Sequence, residues 1–443
     1  MKAKLILGLL VGIVTISVSA DTLKDIVGSV LDTNPMVNER LKNYRAAKAE
    51  IDIAEAGYYP TLNLESSIGR RTTGKITDKA LDDTSNVFQN SLILRQNIFD
   101  GFSTNERVNY QKMHTLSAAY SYLEKANDVA LDGVNAYINL QKEKALLESS
   151  ELNVRHNEIT YRKVKKEYEA GLSTLSEVSK IHSSLAFAKS NVMLQNNRLL
   201  NAHSNFRRIV GKTVKLKALE KVNFDLMLPS SQQKAEKYAL EYNPSVLAGK
   251  YNIKGAEALY EESKSTFYPK VDFVLSQNYN ENYNDFIGTD DRSQALVVLS
   301  YNLYNGGADE AKKLNTLSKL NQEVSVTDNV KRQIIMNVEL SWSSYTLSLD
   351  QIPFLKQYKS QSEKTLKLYR KEYELGKRSL LDLISAENDL KRANDELIHA
   401  QYNLLLSKYK IMHAMGLIMV SIMGSEREYY QRVGIQERQN VEI

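Results

Sequence analysis

The chain carries the same landmarks twice, in the same order. Asn34-Pro35 and Tyr59-Pro60 recur 209 residues later as Asn243-Pro244 and Tyr268-Pro269. Three later landmarks recur after 205 residues: Asn97-Ile98-Phe99-Asp100-Gly101 as Asn302-Leu303-Tyr304-Asn305-Gly306, Tyr168-Glu169-Ala170-Gly171 as Tyr373-Glu374-Leu375-Gly376, and Gly211 as Gly416. A single change of offset, from 209 to 205 residues, brings all five landmark pairs into register. Chance similarity between unrelated helices would not keep that register over so many residues. The sequence therefore predicts a tandem duplication, with residues 21–228 and 229–416 as its two repeats.

Each repeat begins with a predicted helix and two predicted strands. A helix over Thr22–Gly57, and over Ser231–Phe267 in the second repeat, ends at the Tyr-Pro pair because proline cannot continue a helix. Alternation of apolar and polar residues then predicts strands. They span Thr61–Gly69, Asn86–Phe99, Val271–Leu275 and Ala295–Leu303. The polar segments within each pair, Thr72–Ser85 and Glu281–Arg292, are expected to face the exterior.

Two very long helices follow the strands. Between the Asx-Gly turns and the glycines Gly171 and Gly376, the sequence has no proline or sustained glycine break except Pro353. The stretches Phe102–Glu167 and Ala308–Glu372 are therefore predicted to be helices about 100 Å long, at 1.5 Å per residue. Helices of that length cannot be buried inside one compact domain.

The last helix of each repeat shows a packing pattern. After Gly376, large apolar residues fall every seven positions, and mostly small residues follow three positions later. These positions are Leu383, Leu390, Leu397, Leu404 and Ile411, and Ala386, Ala393, Ala400, Ser407 and Ala414. The first repeat has the same pattern from Val178 to Phe206 and from Ile181 to Ile209. Such a seam predicts close coiled-coil packing and implies no chemical role.

Element lengths and strand number predict a tube built from several chains. The first and last helices of a repeat have a combined length close to that of the long helix. They can therefore stack end to end beside it, with Lys212–Met227 at the joint between them. Outer-membrane barrels need about eight or more strands to close, so four strands require other copies. Two copies would enclose a filled interior, and three copies a lumen. Tyrosines near the strand ends suit either an aromatic girdle or ordinary corner packing: Tyr58, Tyr59, Tyr268, Tyr301 and Tyr304.

The N-terminus predicts export. Lys2 and Lys4, an apolar run over Leu5–Val18 and small residues before Asp21 indicate a signal peptide over residues 1–20. No later stretch approaches the ~20 apolar residues of a spanning helix. The chain has no cysteine, six scattered histidines and a net charge of +5 over 443 residues. This composition favours no disulfide, metal site, cofactor or nucleic-acid partner.

The signal peptide, the tandem halves, the Asn-Pro and Tyr-Pro landmarks and the paired Asx-Gly turns together resemble the TolC family of outer membrane efflux proteins. The resemblance covers residues 21–416, and its most specific segments are 171–177 and 376–382. It implies a mixed α and β membrane protein, a homotrimer with a twelve-stranded β-barrel in outer membrane lipid and an α-helical coiled-coil tunnel in the periplasm. It also implies a periplasmic adaptor (membrane fusion) protein and an inner-membrane ABC or proton-driven transporter as partners.

The resemblance further implies a gate at the periplasmic tip, around the turns at Gly171 and Gly376. Tyr373 and Arg378 match residues that tether the inner helix pair to the outer pair, with Glu177 as the expected partner. The alternative is that Arg378 and Glu177 are solvated charges at a helix turn.

The resemblance also implies an acidic ring in the lumen. Asp382 matches a residue that faces the lumen at the constriction. Three carboxylates on a symmetry axis would repel one another and attract cations. Ser385 stands where a second aspartate is known in the family, which puts a double ring in doubt.

A passive export duct for polypeptides or small molecules is therefore the expected function. The chain lacks the lipid-acceptor cysteine typical of the drug-pump branch, which leaves type I secretion and shared use by several pumps open. Of these two, type I secretion is favoured. The competing hypothesis, a periplasmic coiled-coil scaffold or adhesin stalk, fits the long helices but not four amphipathic strands. No motif for a nucleophile, a phosphate loop or a metal supports an enzyme. Of the C-terminal tail (417–443), Ser425–Ile443 is expected to be poorly ordered or to lie outside the tube near its joint.

Overall fold

A computed structural model describes residues 22–73, 83–214, 219–224, 227–282 and 288–435. The predicted signal peptide lies outside these ranges, as do residues 74–82 and 283–287 of the two predicted exterior loops. Within the described ranges both repeats fold into the same succession of elements, which confirms the duplication.

Each repeat contains two short helices, two strands, a long helix and a returning helix. The first repeat consists of α1 (Leu23–Thr33), α2 (Pro35–Glu55), β1 (Thr61–Thr73), β2 (Asp83–Phe99), α3 (Ser103–Glu169) and α4 (Leu175–Val210). The second consists of α5 (Gln232–Tyr242), α6 (Pro244–Ser263), β3 (Lys270–Glu281), β4 (Thr289–Ser300), α7 (Ala308–Glu374) and α8 (Leu380–Ala414). Two further helices follow, α9 (Ile418–Met423) and α10 (Arg427–Arg432).

The prediction of one continuous helix over Thr22–Gly57 and over Ser231–Phe267 is wrong, because each stretch forms two helices. The break falls at Asn34 and Asn243, each followed by a proline, whose ring disfavours helical backbone in the preceding residue. Asn34 has φ −67° and ψ 123°, and its Oδ1 accepts a hydrogen bond from the Met36 N–H at 2.9 Å. Each asparagine therefore ends one helix and caps the next.

The long helices are confirmed, and each folds back as a hairpin. α3 and α7 have 67 residues each, which makes each about 100 Å long. α3 packs on α4, and α7 packs on α8. The seam predicted for α8 is buried at all five of its small positions, from Ala386 to Ala414. Small residues there let the two helices of the hairpin approach closely.

The predicted stacking of short helices is seen in the second repeat. The Asn243 side-chain amide donates to the carbonyl of Ala414, the last residue of α8, at 2.7 Å. α6 therefore begins where α8 ends, and both lie against α7. The described part of the predicted joint also packs there. The Phe224 ring lies 5.1 Å from the Tyr409 ring, and the Glu220 carbonyl accepts from the Tyr137 hydroxyl at 2.9 Å.

The described part of the tail is folded against this joint rather than poorly ordered. Tyr429 and Tyr430 of α10 are buried in the same apolar cluster as residues of α1 and α3. The Arg432 guanidinium lies 2.9 Å from the Asp32 carboxylate of α1. The C-terminal helices thus fasten the N-terminal helix to the long helix α3.

The four strands form one antiparallel sheet in the order β1-β2-β3-β4, which confirms the predicted strands. One face is mainly apolar: Leu94 lies between Leu62 on β1 and Leu275 on β3. The other face is mainly polar, and there the Ser91 hydroxyl donates to Asn278 Oδ1 at 2.7 Å. β1 and β4 are the two edges of the sheet.

The extension of the last strand to Leu303 is wrong, since β4 ends at Ser300. β3 begins at Lys270, directly after Pro269, and Lys270 pairs with Ser300. No β3 residue therefore lies opposite Tyr301–Leu303 to continue the ladder. None of the helices in the described ranges carries an apolar stretch of the length that crossing a membrane requires.

Candidate functional site

The residues singled out in the sequence gather where the two helical hairpins turn. Gly171 has φ +74° and Gly376 has φ +66°, the left-handed conformation that glycine adopts without strain. At each turn the chain closes the preceding helix with backbone hydrogen bonds; the Leu172 N–H donates to the Glu167 carbonyl at 2.7 Å. The two turns place α4 beside α3 and α8 beside α7.

Tyr373 connects the two hairpins. Its hydroxyl donates to Glu167 Oε2 of α3 at 2.9 Å. Its ring packs against an apolar cluster that contains Val164 of α3 and Leu380 of α8. Burial, followed by the hydrogen bond to Glu167, raises the pKa of Tyr373 well above its ordinary value. The hydroxyl therefore keeps its proton and remains a donor at any physiological pH.

A second link between the hairpins lies beside the first. Lys163 Nζ of α3 lies 3.2 Å from Glu374 Oε1 of α7. The same ammonium group lies 5.4 Å from the centre of the Tyr373 ring. Both groups of this ion pair are partly solvated, so the pair itself is weak. The Tyr373–Glu167 hydrogen bond is the more specific of the two links.

Arg378 stays within its own hairpin. Its Nε and one terminal nitrogen lie 2.9 and 2.8 Å from Glu372 Oε2, and another terminal nitrogen lies 3.9 Å from Asp382 Oδ2. The guanidinium carbon lies 4.1 Å above the Tyr369 ring. The hydrogen bond to Glu372 is the main cause that raises the pKa of Arg378. The contacts of Arg378 with Glu372 and Asp382 therefore brace the α7–α8 turn within its own hairpin.

Glu177 is occupied locally and does not pair with Arg378 within the chain. It forms a capping box with Thr174 at the start of α4 and accepts from the Ser173 hydroxyl at 2.6 Å. The acceptor for Tyr373 is instead Glu167, which sequence reasoning missed. A signal was available, because Glu167 and Glu372 occupy equivalent positions of the two repeats.

Asp382 lies in the first turn of α8. Its backbone N–H donates to the Ser379 hydroxyl oxygen at 3.2 Å, and its side chain accepts from that hydroxyl at 2.8 Å. A carboxylate is favoured at this position by the helix dipole. The Asp382 side chain is 47% exposed, and Ser385 is also exposed one turn later. Asp382 is therefore an exposed acidic side chain at the start of α8.

The residues that the structure describes include no group of His, Asp or Glu side chains arranged to hold a metal ion. The tip residues described above offer hydrogen bonding and charge. Tyr373 with Glu167 joins the hairpins, Arg378 stiffens one turn, and Asp382 supplies an exposed negative charge.

Comparison with known proteins places this arrangement in a family. The model of the family described as outer membrane efflux protein matches residues 26–212 and 237–417, one segment in each repeat. The outer membrane efflux protein BepC of Brucella suis is 21% identical over 416 residues, covering 93% of this chain and 89% of the relative. The outer membrane protein TolC of Escherichia coli is 23% identical over 421 residues, covering 90% of this chain and 83% of the relative.

A secretion protein and a solved channel are also similar. The proteases secretion protein PrtF of Dickeya chrysanthemi is 18% identical and covers 84% of this chain and 83% of the relative. The fold matches the crystal structure of the Campylobacter jejuni CmeC outer membrane channel with a TM-score of 0.79 at 12% identity, covering 94% of this chain and 90% of that chain. The expected location, the outer membrane with an extension into the periplasm, is confirmed. This chain belongs to the outer membrane efflux protein family.

Proposed function

We propose that the chain is a passive export duct: a homotrimer whose twelve-stranded barrel spans the outer membrane and whose helical tunnel crosses the periplasm. The observation that carries this proposal is the four-stranded sheet, which has an apolar face and two edge strands, β1 and β4. Lipid cannot satisfy the backbone groups of an open edge. Twelve strands from three copies would close the sheet and leave a lumen lined by the polar face.

An exposed seam on α7 supports association with other copies. Five large apolar side chains on this helix are between 48% and 73% exposed and are spaced by seven or fourteen residues: Val326, Leu340, Leu347, Phe354 and Leu368. A seven-residue repeat is the signature of a helix that packs on another helix along its length. Since α7 already uses other positions to pack on α8, this seam is suited to a neighbouring copy. A coiled-coil scaffold would account for the seam but not for the apolar sheet.

We further propose that the duct is gated at its periplasmic tip. Tyr373 and Lys163 hold the inner pair (α7 and α8) against the outer pair (α3 and α4), and release of these contacts would let the inner pair move outward. Three copies of Asp382 around the axis would form a single acidic ring that favours cations. In this proposal Arg378 keeps the inner turn rigid, and contacts with neighbouring copies complete its role.

Energy for transport would come from partners, because a passive duct performs no chemistry of its own. The proposed partners are a periplasmic adaptor protein and an inner-membrane ABC or proton-driven transporter. The similarity to a proteases secretion protein supports type I secretion of polypeptides as the favoured cargo class. The name of the Brucella suis relative supports efflux as the second mode of transport, for which we propose small molecules as the cargo.

Single-channel recording of the purified full chain in a planar bilayer tests the duct. We expect small, cation-selective openings that become larger or more frequent in the Tyr373→Phe/Arg378→Ser double variant. The mass of the detergent-solubilised protein, measured by light scattering, should correspond to three chains. A membrane-inserted oligomer that conducts no ions would refute the duct and favour the scaffold.

A further inference from the structure

Above the tip, the outer and inner hairpins meet along a polar interface between α3 and α8. The Ser149 hydroxyl donates to Asp395 Oδ1 at 2.6 Å, and the Thr160 hydroxyl donates to Glu387 Oε1 at 3.1 Å. The seam between α7 and α8 is by contrast lined by small, mainly apolar residues, and the seam between α3 and α4 combines apolar residues with a polar contact between Gln195 and Glu143. Water can replace side-chain hydrogen bonds but not apolar contacts, so a polar interface separates at lower cost. The α3–α8 interface is therefore the surface along which the inner pair can part from the outer pair.

Glu387 is the buried carboxyl group in this interface. Its side chain is 0% exposed, and Oε1 lies 3.3 Å from a terminal nitrogen of Arg370 on α7. Its other oxygen, Oε2, is buried and has no hydrogen-bond partner among the residues that the structure describes. A buried carboxylate with an unpaired oxygen is costly as an anion and much less so as a neutral acid. A proton on this carboxyl group would remove much of that cost.

We propose that Glu387 is a proton-operated latch: protonated, it stays buried between α3, α7 and α8, and ionised, it favours separation of the inner pair from α3. This proposal depends on the tip opening proposed above, and it assigns to Glu387 the regulation of that opening by pH. It differs from the Tyr373 link, because Tyr373 keeps its proton at any physiological pH whereas a carboxyl group can lose one.

The direction of the effect follows from proton linkage. Burial raises the pKa of the Glu387 carboxyl above its ordinary value of 4.5, and the contacts with Thr160 and Arg370 offset only part of this. In a separated interface water would solvate the carboxyl and restore an ordinary pKa. Acid therefore stabilises the closed interface, and that stabilisation is lost as the pH rises from about 4.5 towards the raised value. Each unit of difference between the two pKa values changes the closed-to-open ratio by about tenfold.

One neighbour works in the opposite direction. The titratable groups that line the same crevice are His156 from α3, Lys359 and Glu363 from α7, and Lys391 from α8. Burial and the nearby Arg370 lower the pKa of His156. Protonation of His156 in acid would therefore loosen the interface that protonation of Glu387 tightens. A test of the latch must remove His156 first.

The absence of cysteine from the sequence allows a single introduced thiol to report separation of the interface. Asn153→Cys places the thiol on α3 at a position that is 6% exposed. Ser183→Cys places it on an exposed position of α4 as the matched control. The full chain carrying His156→Gln is purified in detergent and labelled with iodoacetamide at several values between about pH 5 and pH 8. The measured quantity is the labelling rate of the first thiol divided by that of the second.

We expect this ratio to rise by about threefold or more with pH when Glu387 is present. The Glu387→Gln variant stays neutral and keeps an acceptor for Thr160, so its ratio should stay low. The same pH profile in both proteins would overturn the latch, and this comparison also removes any effect of the buried thiol's own titration.

The Tyr373→Phe change in the same background separates the latch from the gate. If Tyr373→Phe raises the labelling ratio while Glu387→Gln leaves its pH profile unchanged, the tip opens as proposed and the latch is wrong. If neither Tyr373→Phe nor pH changes the ratio, the proposed tip opening itself is wrong. A ratio that responds to both changes supports both proposals.

Discussion

Replacing Tyr373 by phenylalanine removes one hydroxyl from the contact between the hairpins and leaves the ring in place. The lost interaction is the 2.9 Å hydrogen bond to Glu167. Phenylalanine retains the packing of the ring against Val164 and Leu380. The substitution therefore isolates the tether from the apolar contacts around it.

The expected size of the effect follows from the partner. Hydrogen bonds to charged groups contribute about 1.5–3 kcal/mol. Tyr373 and Glu167 are both only half-buried, so water competes and the lower end applies. A loss of about 1.5 kcal/mol shifts the closed-to-open ratio of one chain roughly tenfold. If three tethers in a trimer must release together, the combined shift is about a thousandfold.

Open probability in planar bilayers measures this shift. A roughly tenfold increase would indicate that each chain opens alone, and a roughly thousandfold increase would indicate concerted opening. Tyr161→Phe is the matched control, because Tyr161 borders the same apolar cluster and the centre of its ring lies 5.3 Å from that of His182 in the same hairpin. An unchanged open probability for Tyr373→Phe, or an equal change in the control, would refute the tether.

Four further changes give distinct outcomes. Gly249→Ala would place a methyl group 2.8 Å from Thr327 Oγ1, so thermal unfolding should show a loss of about 1–3 kcal/mol that Thr327→Ala largely restores. Gly376→Ala at φ +66° should destabilise the tip by about 1–2 kcal/mol, seen as faster proteolysis at the turn. Asp382→Asn should reduce the cation preference in reversal-potential measurements. Tyr430→Ala should cost about 3 kcal/mol in thermal unfolding, because its side chain is 2% exposed.

Much of the fold could be predicted because its signals are local. Glycine at the tip turns, and long stretches without proline apart from Pro353, set the ends of α3 and α7 to within a few residues. The prediction failed at Asn34 and Asn243, which were recognised as repeat landmarks and still treated as helix interior. The residue before a proline is restricted whatever its neighbours are, so Asn-Pro within a helical pattern indicates a break.

The candidate site was predicted less well, because contacts between different hairpins produce no regular pattern in the sequence. Thr174-Leu-Ser-Glu177 has the spacing of a capping box, so Glu177 could have been assigned to its own helix from the sequence. Glu387 flanks the seam of α8, a position that is usually solvated. It is buried because α3, which belongs to the other repeat, covers it, and no pattern within one repeat carries that information.

The two hairpins arose from one duplicated unit, yet the structure holds them very differently. α3 has 24 buried residues among its 67, and α7 has seven among the same number. The difference arises because α3 packs on helices of both repeats, including α2, α6 and α8. α7 alone also contains a proline, Pro353, which removes a helical hydrogen bond where the equivalent residue of α3 is Glu148. Within one chain, α7 therefore has fewer buried contacts than α3 and lacks one helical hydrogen bond. The chain itself holds the α7–α8 pair less firmly than α3, so in the proposed trimer the contacts of the exposed α7 seam with a neighbouring copy would set how far that pair moves.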